Sequence, residues 1–190
     1  MTLPANAAQP RSASRPTLWK PVLLRAAVGL VFGLVTAFWS NPSGEGLAWA
    51  MGLYLLATAG AVWMFRTLPV FVPVVIALGG IGALVTRSDA GVALSAVVAL
   101  LVLGASELTR GVRKRDDVAR DWLISGVVSV GTAVALPFFI SMGAHALLGV
   151  AGGGAIICGV LWILSGLTLR HEAKTSSGPS APGSSAEAVN

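Results

Sequence analysis

The sequence predicts an all-α, polytopic membrane protein of six transmembrane helices arranged as three helical hairpins. Three observations lead there: long apolar runs without charge, a shortage of charge everywhere else, and basic residues gathered at alternate ends of the runs. Of the 190 residues, 55% are hydrophobic and 11% are charged, against about 25% charged in an ordinary soluble domain. A water-facing surface needs charge, so lipid is the solvent this composition suits. The net charge of +5 is spread over short segments between apolar runs. A nucleic-acid binder would instead gather it on one polar face, so no nucleic-acid partner is expected.

Residues 1–18 are polar and carry Pro4, Pro10 and Pro16. They hold too little apolar surface to offset the entropy of ordering, and are expected to form a disordered cytoplasmic tail. Residues 171–190, with their Ser, Gly and Pro, are read the same way. The basic lead Arg11, Arg15 and Lys20 precedes an apolar run too long for a signal-peptide core, so the first helix is read as a retained anchor.

Between the tails lies a transmembrane domain, residues 19–170. Its uncharged runs cover residues 26–44, 46–65, 67–86, 90–106 and 122–169. A helix needs about 20 residues to cross a hydrocarbon core about 30 Å thick. The last run is long enough for two spans, with Pro137 and Ser141-Met142-Gly143 marking the turn. The expected helices are 21–40, 46–66, 68–86, 90–106, 122–141 and 144–168, giving hairpins 21–66, 68–106 and 122–168. Helix is favoured over strand because lipid cannot satisfy an open backbone. Short segments of alternating polarity, the mark of a membrane barrel, are lacking.

With the N-terminus inside, twelve of the thirteen basic residues fall on cytoplasmic segments, and only Arg87 falls outside. This bias places both termini of a multi-pass membrane protein in the cytoplasm. Trp19, Trp63, Trp122 and Trp162 fall near inner helix ends, and Trp39 and Trp49 near outer ends. All six are expected in the headgroup layer, which suits an apolar ring with one N–H.

The first and third hairpins look alike. Gly60-Ala61-Val62-Trp63 lines up with Gly159-Val160-Leu161-Trp162, and Gly33 with Gly131. Gly104-Ala105-Ser106-Glu107 keeps a trace of the same pattern in the middle hairpin. The segment Gly29-Leu-Val-Phe-Gly33-Leu-Val-Thr-Ala-Phe-Trp39-Ser-Asn-Pro42, followed by Gly52-Leu-Tyr-Leu-Leu-Ala-Thr-Ala-Gly60, resembles the HdeD-like family of acid-resistance membrane proteins, built from a short repeat of unknown function. The resemblance covers about residues 19–170. It implies six spans, a bacterial inner membrane and a stress role, and it supplies no catalytic residue. The middle hairpin departs from the pattern: its prolines, Pro69 and Pro73, lie at its start rather than at the outer turn.

Residues that could carry function are few. Gly29, Gly33 and Ala37 are spaced by four, as are Ser125, Ser129 and Ala133; such faces let helices approach closely. Together with Gly60, Gly131 and Gly159 the glycines are expected to serve helix packing, within the monomer or at a dimer face. Arg25 lies one to two turns into the first helix. It either snorkels to the inner surface or forms an ion pair with Glu107. His145, near the outer turn, is read as an interface residue, with a pH sensor as the sharper alternative. The inner loop 107–121 is read as a topology determinant that could also attract anionic lipid. Cys158 is read as a small buried hydrophobe, and Gly152-Gly153-Gly154 as a packing or bending element. No phosphate loop, His-Glu-x-x-His motif or serine or cysteine catalytic set is present, and no cofactor or metal is expected.

Two functions follow. The first is a non-enzymatic membrane protein with a structural, stress-related or interaction role, in contact with membrane lipids and with a homo-oligomer or other membrane protein as partner. The second is a small transporter or channel for an uncharged or lipidic solute, with Tyr54, Thr58, Ser95 and Thr132 lining a polar cavity.

Overall fold

The structure, a computed structural model, describes residues 19–66, 68–113 and 119–175. The expected tail 1–18, residues 176–190 of the second tail and residues 114–118 of the inner loop lie outside the described residues. Among the described residues the chain is all-helical. It forms α1 (Trp19–Phe38), α2 (Gly44–Phe65), α3 (Phe71–Thr86), α4 (Asp89–Arg113), α5 (Ala119–Ala135), a 3-10 helix (Leu136–Met142) and α6 (Ala144–Thr175). Four segments are long and apolar enough to cross a membrane: Gly44–Met64, Asp89–Arg113, Ala119–Met142 and Ala144–His171. The apolar stretches Val22–Phe38 and Phe71–Thr86 are shorter.

Local chemistry sets the ends. Ser43 caps α2, its hydroxyl accepting from the Gly46 N–H at 3.0 Å. This satisfies one of the donors that a helix start leaves open. Arg66 and Arg87 end α2 and α3 in the left-handed region, at φ 46° and 48°. An L side chain is strained there by roughly 1–2 kcal/mol. Helix α5 stops at Ala135, short of the expected 141, because Pro137 has no N–H to continue the ladder and restrains the residue before it. Helix α4 runs past the expected end at 106, through Glu107 to Arg113, and α6 continues past 170 to Thr175.

The helices close into a ring. Each packs on its neighbours in chain order, and α1 completes the circuit against α6. Helices α2, α4 and α6 also meet one another at the centre, with α1, α3 and α5 outside them. The most extensive interfaces are α1 with α6, α4 with α5, and α2 with α3, so they join helices of different expected hairpins.

Glycine makes these interfaces possible. A Cβ on Gly52 would stand 3.0 Å from the Gly80 carbonyl oxygen, and one on Gly80 would stand 3.0 Å from that of Gly52. Leu84 and Leu56, each four residues on, cover the opposite glycine. Between α4 and α5 the same exchange joins Gly104 to Gly126, with Val130 and Leu108 as covers. Between α1 and α6, Gly29 lies against the Ala155 carbonyl, Gly33 against that of Gly152, and Gly159 against Leu30.

Three expected packing positions are corrected. Gly60 and Gly131 have no heavy atom within 4 Å of where a Cβ would stand, and Ala37 is exposed. Neighbours of each face inward: Ala59 and Val62, Ala133, and Thr36, whose side chain meets Gly152. A helix has 3.6 residues per turn, so a face followed strictly by fours drifts off and returns through a step of three. The proposed equivalence of Gly60–Trp63 with Gly159–Trp162 is therefore out of register: Trp63 is 51% exposed and Trp162 is 1% exposed.

The outer surface is apolar, with Phe38 at 81% exposure and Val85 and Phe138 at 74%. Side chains of this size exposed on every helix suit a hydrocarbon solvent and would make an aggregating surface in water. Replacing Gly104 by Ala is expected to destabilise the fold by about 1–3 kcal/mol through forced separation of α4 and α5. Gly131→Ala, with open space for the methyl, is expected to be neutral or to stabilise by up to about 1 kcal/mol. Thermal unfolding of both variants in detergent checks the contrast; similar losses would contradict the packing described.

Candidate functional site

The polar residues converge in one place. Arg25 of α1 donates through Nη2 to Oε1 of Glu107 on α4. Both side chains are buried, at 7% and 0% exposure. The backbones of α1 and α4 do not approach each other, so this pair is a direct side-chain tie between them. Of the two readings of Arg25, the structure shows the pair with Glu107 and not a side chain reaching for the surface.

Aromatic rings enclose the cation. The Arg25 guanidinium carbon lies 4.8 Å from the Trp162 ring centroid and 6.0 Å from that of Trp122. The two indoles meet edge-to-face, with centroids 4.8 Å apart and planes at 75°. Arg110 brings a second guanidinium to 4.8 Å from Trp122. A ring face is electron-rich and attracts a cation most strongly where water is excluded. The Trp162 indole N–H donates to the Ser125 hydroxyl at 3.1 Å. The Cys158 thiol donates to the Ser125 carbonyl at 3.9 Å. Below this cluster the Ser165 hydroxyl donates to Asp121. The cluster thus draws on α1, α4, α5 and α6.

Chemically, the cluster is a neutralised charge pair in a cage, well suited to fixing helices at a set angle. Arg25 Nη1 and Glu107 Oε2 have no hydrogen-bond partner among the described residues, so the pair is tied at one edge. The sequence offers the Arg25–Glu107 pair only as an alternative to snorkelling, and residue preference puts Trp122 and Trp162 in the headgroup layer. They are 6% and 1% exposed and belong to the core. Their ring faces serve Arg25, and Ser125 satisfies the Trp162 N–H, so neither tryptophan needs the interface. The available signal was that Arg25, Glu107, Trp122 and Trp162 all fall at one depth, near inner helix ends. Ser125, Ser129 and Ala133 face inward as one buried row.

The residues considered for a solute path do not line one cavity. Tyr54 stacks on Phe32 with centroids 4.1 Å apart and planes at 13°, and Thr58 is buried. Ser95 fills the space beside Gly82 between α3 and α4, and Thr132 that beside Gly154 between α5 and α6. Gly152 faces α1, Gly154 faces α5 and Gly153 faces outward, so the triplet lets α6 contact two helices at once. His145 is exposed. Away from this cluster, where α2 begins and α3 ends, Glu45 and Arg87 approach to 3.5 Å, both more than half exposed, a pairing that contributes little to stability.

No protein-family model, curated protein or solved structure matches this chain.

Arg25→Ala and Glu107→Ala should each cost about 3–5 kcal/mol, because each leaves a lone charge in a water-poor interior. The double variant should lose much less than the sum of the two. Unfolding of all three in detergent measures the coupling; strict additivity would show that the pair is not energetically joined.

Proposed function

We propose that this chain is a six-span, non-enzymatic protein of a bacterial inner membrane, of HdeD-like type, with both termini in the cytoplasm. Its role is structural or stress-related, exercised through contact with lipids and with a partner in the bilayer, either another copy or another membrane protein. The observation that carries this reading is an interior filled by side chains. Its largest buried members are Trp162, Leu47, Met51, Leu55, Ile76 and Leu103, and its buried charges are already partnered. A filled, charge-neutral centre supports a scaffold more than a conduit, so the solute-carrier alternative is the weaker reading.

Two further features support the finer topology. Helix α1 lies antiparallel along α6, from Leu23 beside Gly166 to Thr36 beside Gly152, and α6 is itself long enough to cross. A helix lying alongside a spanning helix over that length is best solvated as a span. The reciprocal glycine contact recurs at α2–α3 and α4–α5, with a close relative at α1–α6. This supports descent by duplication of a helical hairpin. Basic residues on alternate ends support the orientation.

Tags on the two termini, probed in intact and permeabilised cells, test the topology. Both should become accessible only on permeabilisation, and termini reporting from opposite compartments would overturn it. Growth and internal pH of a deletion strain under acid, osmotic and detergent challenge test the role. Impaired acid survival, restored by the intact chain and not by Arg25→Ala, is expected. A deletion without effect in all three would remove the stress role.

A further inference from the structure

Helices α1 and α2 pack less extensively than α1 and α6. The reason is that Gly29 and Gly33 turn toward α6, which leaves bulkier side chains toward α2. The result is a groove of about 560 Å³ between α1 and α2. Its walls include Val28, Val35, Trp39, Trp49 and Leu53, and the stacked Phe32 and Tyr54 rings line it as well.

We propose that this groove holds one acyl chain of an outer-leaflet phospholipid as a resident ligand; the proposal rests on the membrane reading above. Four observations identify the occupant. The lining side chains are all apolar or aromatic. The groove is continuous with the exposed apolar surface of the same helices, where Val31, Val35 and Leu53 are all at least half exposed. Trp39 and Trp49 stand at one end, which the charge distribution assigns to the outer interface, where indole sits beside lipid headgroups. The length also fits: from Trp39 to Val28 is eleven residues, about 16 Å along a helix, close to half of a hydrocarbon core about 30 Å thick. In lipid the preference for a chain here does not come from the hydrophobic effect. It comes from shape, because a groove between two helices gives a chain contacts on more than one side.

The test uses the full chain in vesicles of phosphatidylethanolamine and phosphatidylglycerol. The probe is a phosphatidylethanolamine carrying a diazirine midway along one acyl chain. After illumination, adducts are mapped by mass spectrometry of peptides. Labelling of the stretch 27–57 should exceed that of the exposed face of α3 (Leu78, Ile81, Val85) severalfold. Ala57→Phe and the milder Ala57→Leu, both on the groove wall, should lower it severalfold in chains that still float with the vesicles. Even labelling of all exposed faces, or labelling unchanged by both substitutions, would overturn the proposal. Disulfides formed between two Trp49→Cys copies in a Cys158→Ser chain would also overturn it, by showing a second chain in the groove. A chain that fails to float with vesicles would instead refute the membrane reading itself.

Discussion

In lipid, apolar side chains gain little by leaving their solvent, so helices hold together where their backbones come close. Every extensive interface in this bundle meets that constraint with glycine. At Gly52–Gly80 and Gly104–Gly126 the two backbones touch reciprocally, and at α1–α6 the run Gly29, Gly33, Gly152 and Gly159 does the same over a longer distance. These three contacts lie between the helical hairpins that short turns suggest. Chain connectivity therefore joins α1 to α2, while packing joins α1 to α6, and together they close the ring.

Closure places the chain's few buried charges. With α2, α4 and α6 at the centre, the tie between Arg25 on α1 and Glu107 on α4 is made by long side chains alone. A charge in this setting is expensive unless neutralised and wrapped. The wrapping comes from Trp122 and Trp162, and Ser125 orients one of them. Glycine contacts decide which helices meet, and the caged pair resists their sliding past one another.

Much of this was legible in the sequence. Helix number and approximate ends follow from uncharged runs, because charge and Pro interrupt a lipid-facing helix in predictable places. Boundaries moved where a local rule met a tertiary one. Helix α4 continues through Glu107 because that carboxylate finds Arg25, and α5 stops early because Pro137 breaks its ladder. Facing was harder to read. Gly60 and Gly131 resemble packing glycines by spacing, yet nearly every position of such a helix is apolar. Nothing in composition then separates the lipid side from the protein side. Trp122 and Trp162 were assigned by residue preference to the headgroups, and only the arrangement of four helices shows them to be walls around a cation.

The meeting of the first and last helices is tested most directly by a cysteine pair. A Cβ on Gly166 would stand 2.6 Å from the Leu23 side chain. Leu23→Cys and Gly166→Cys can be combined in a Cys158→Ser chain and treated with oxidant in isolated membranes. A rapid disulfide within single chains is expected. No bond, or bonds formed only between separate chains, would contradict a ring closed by α1 on α6.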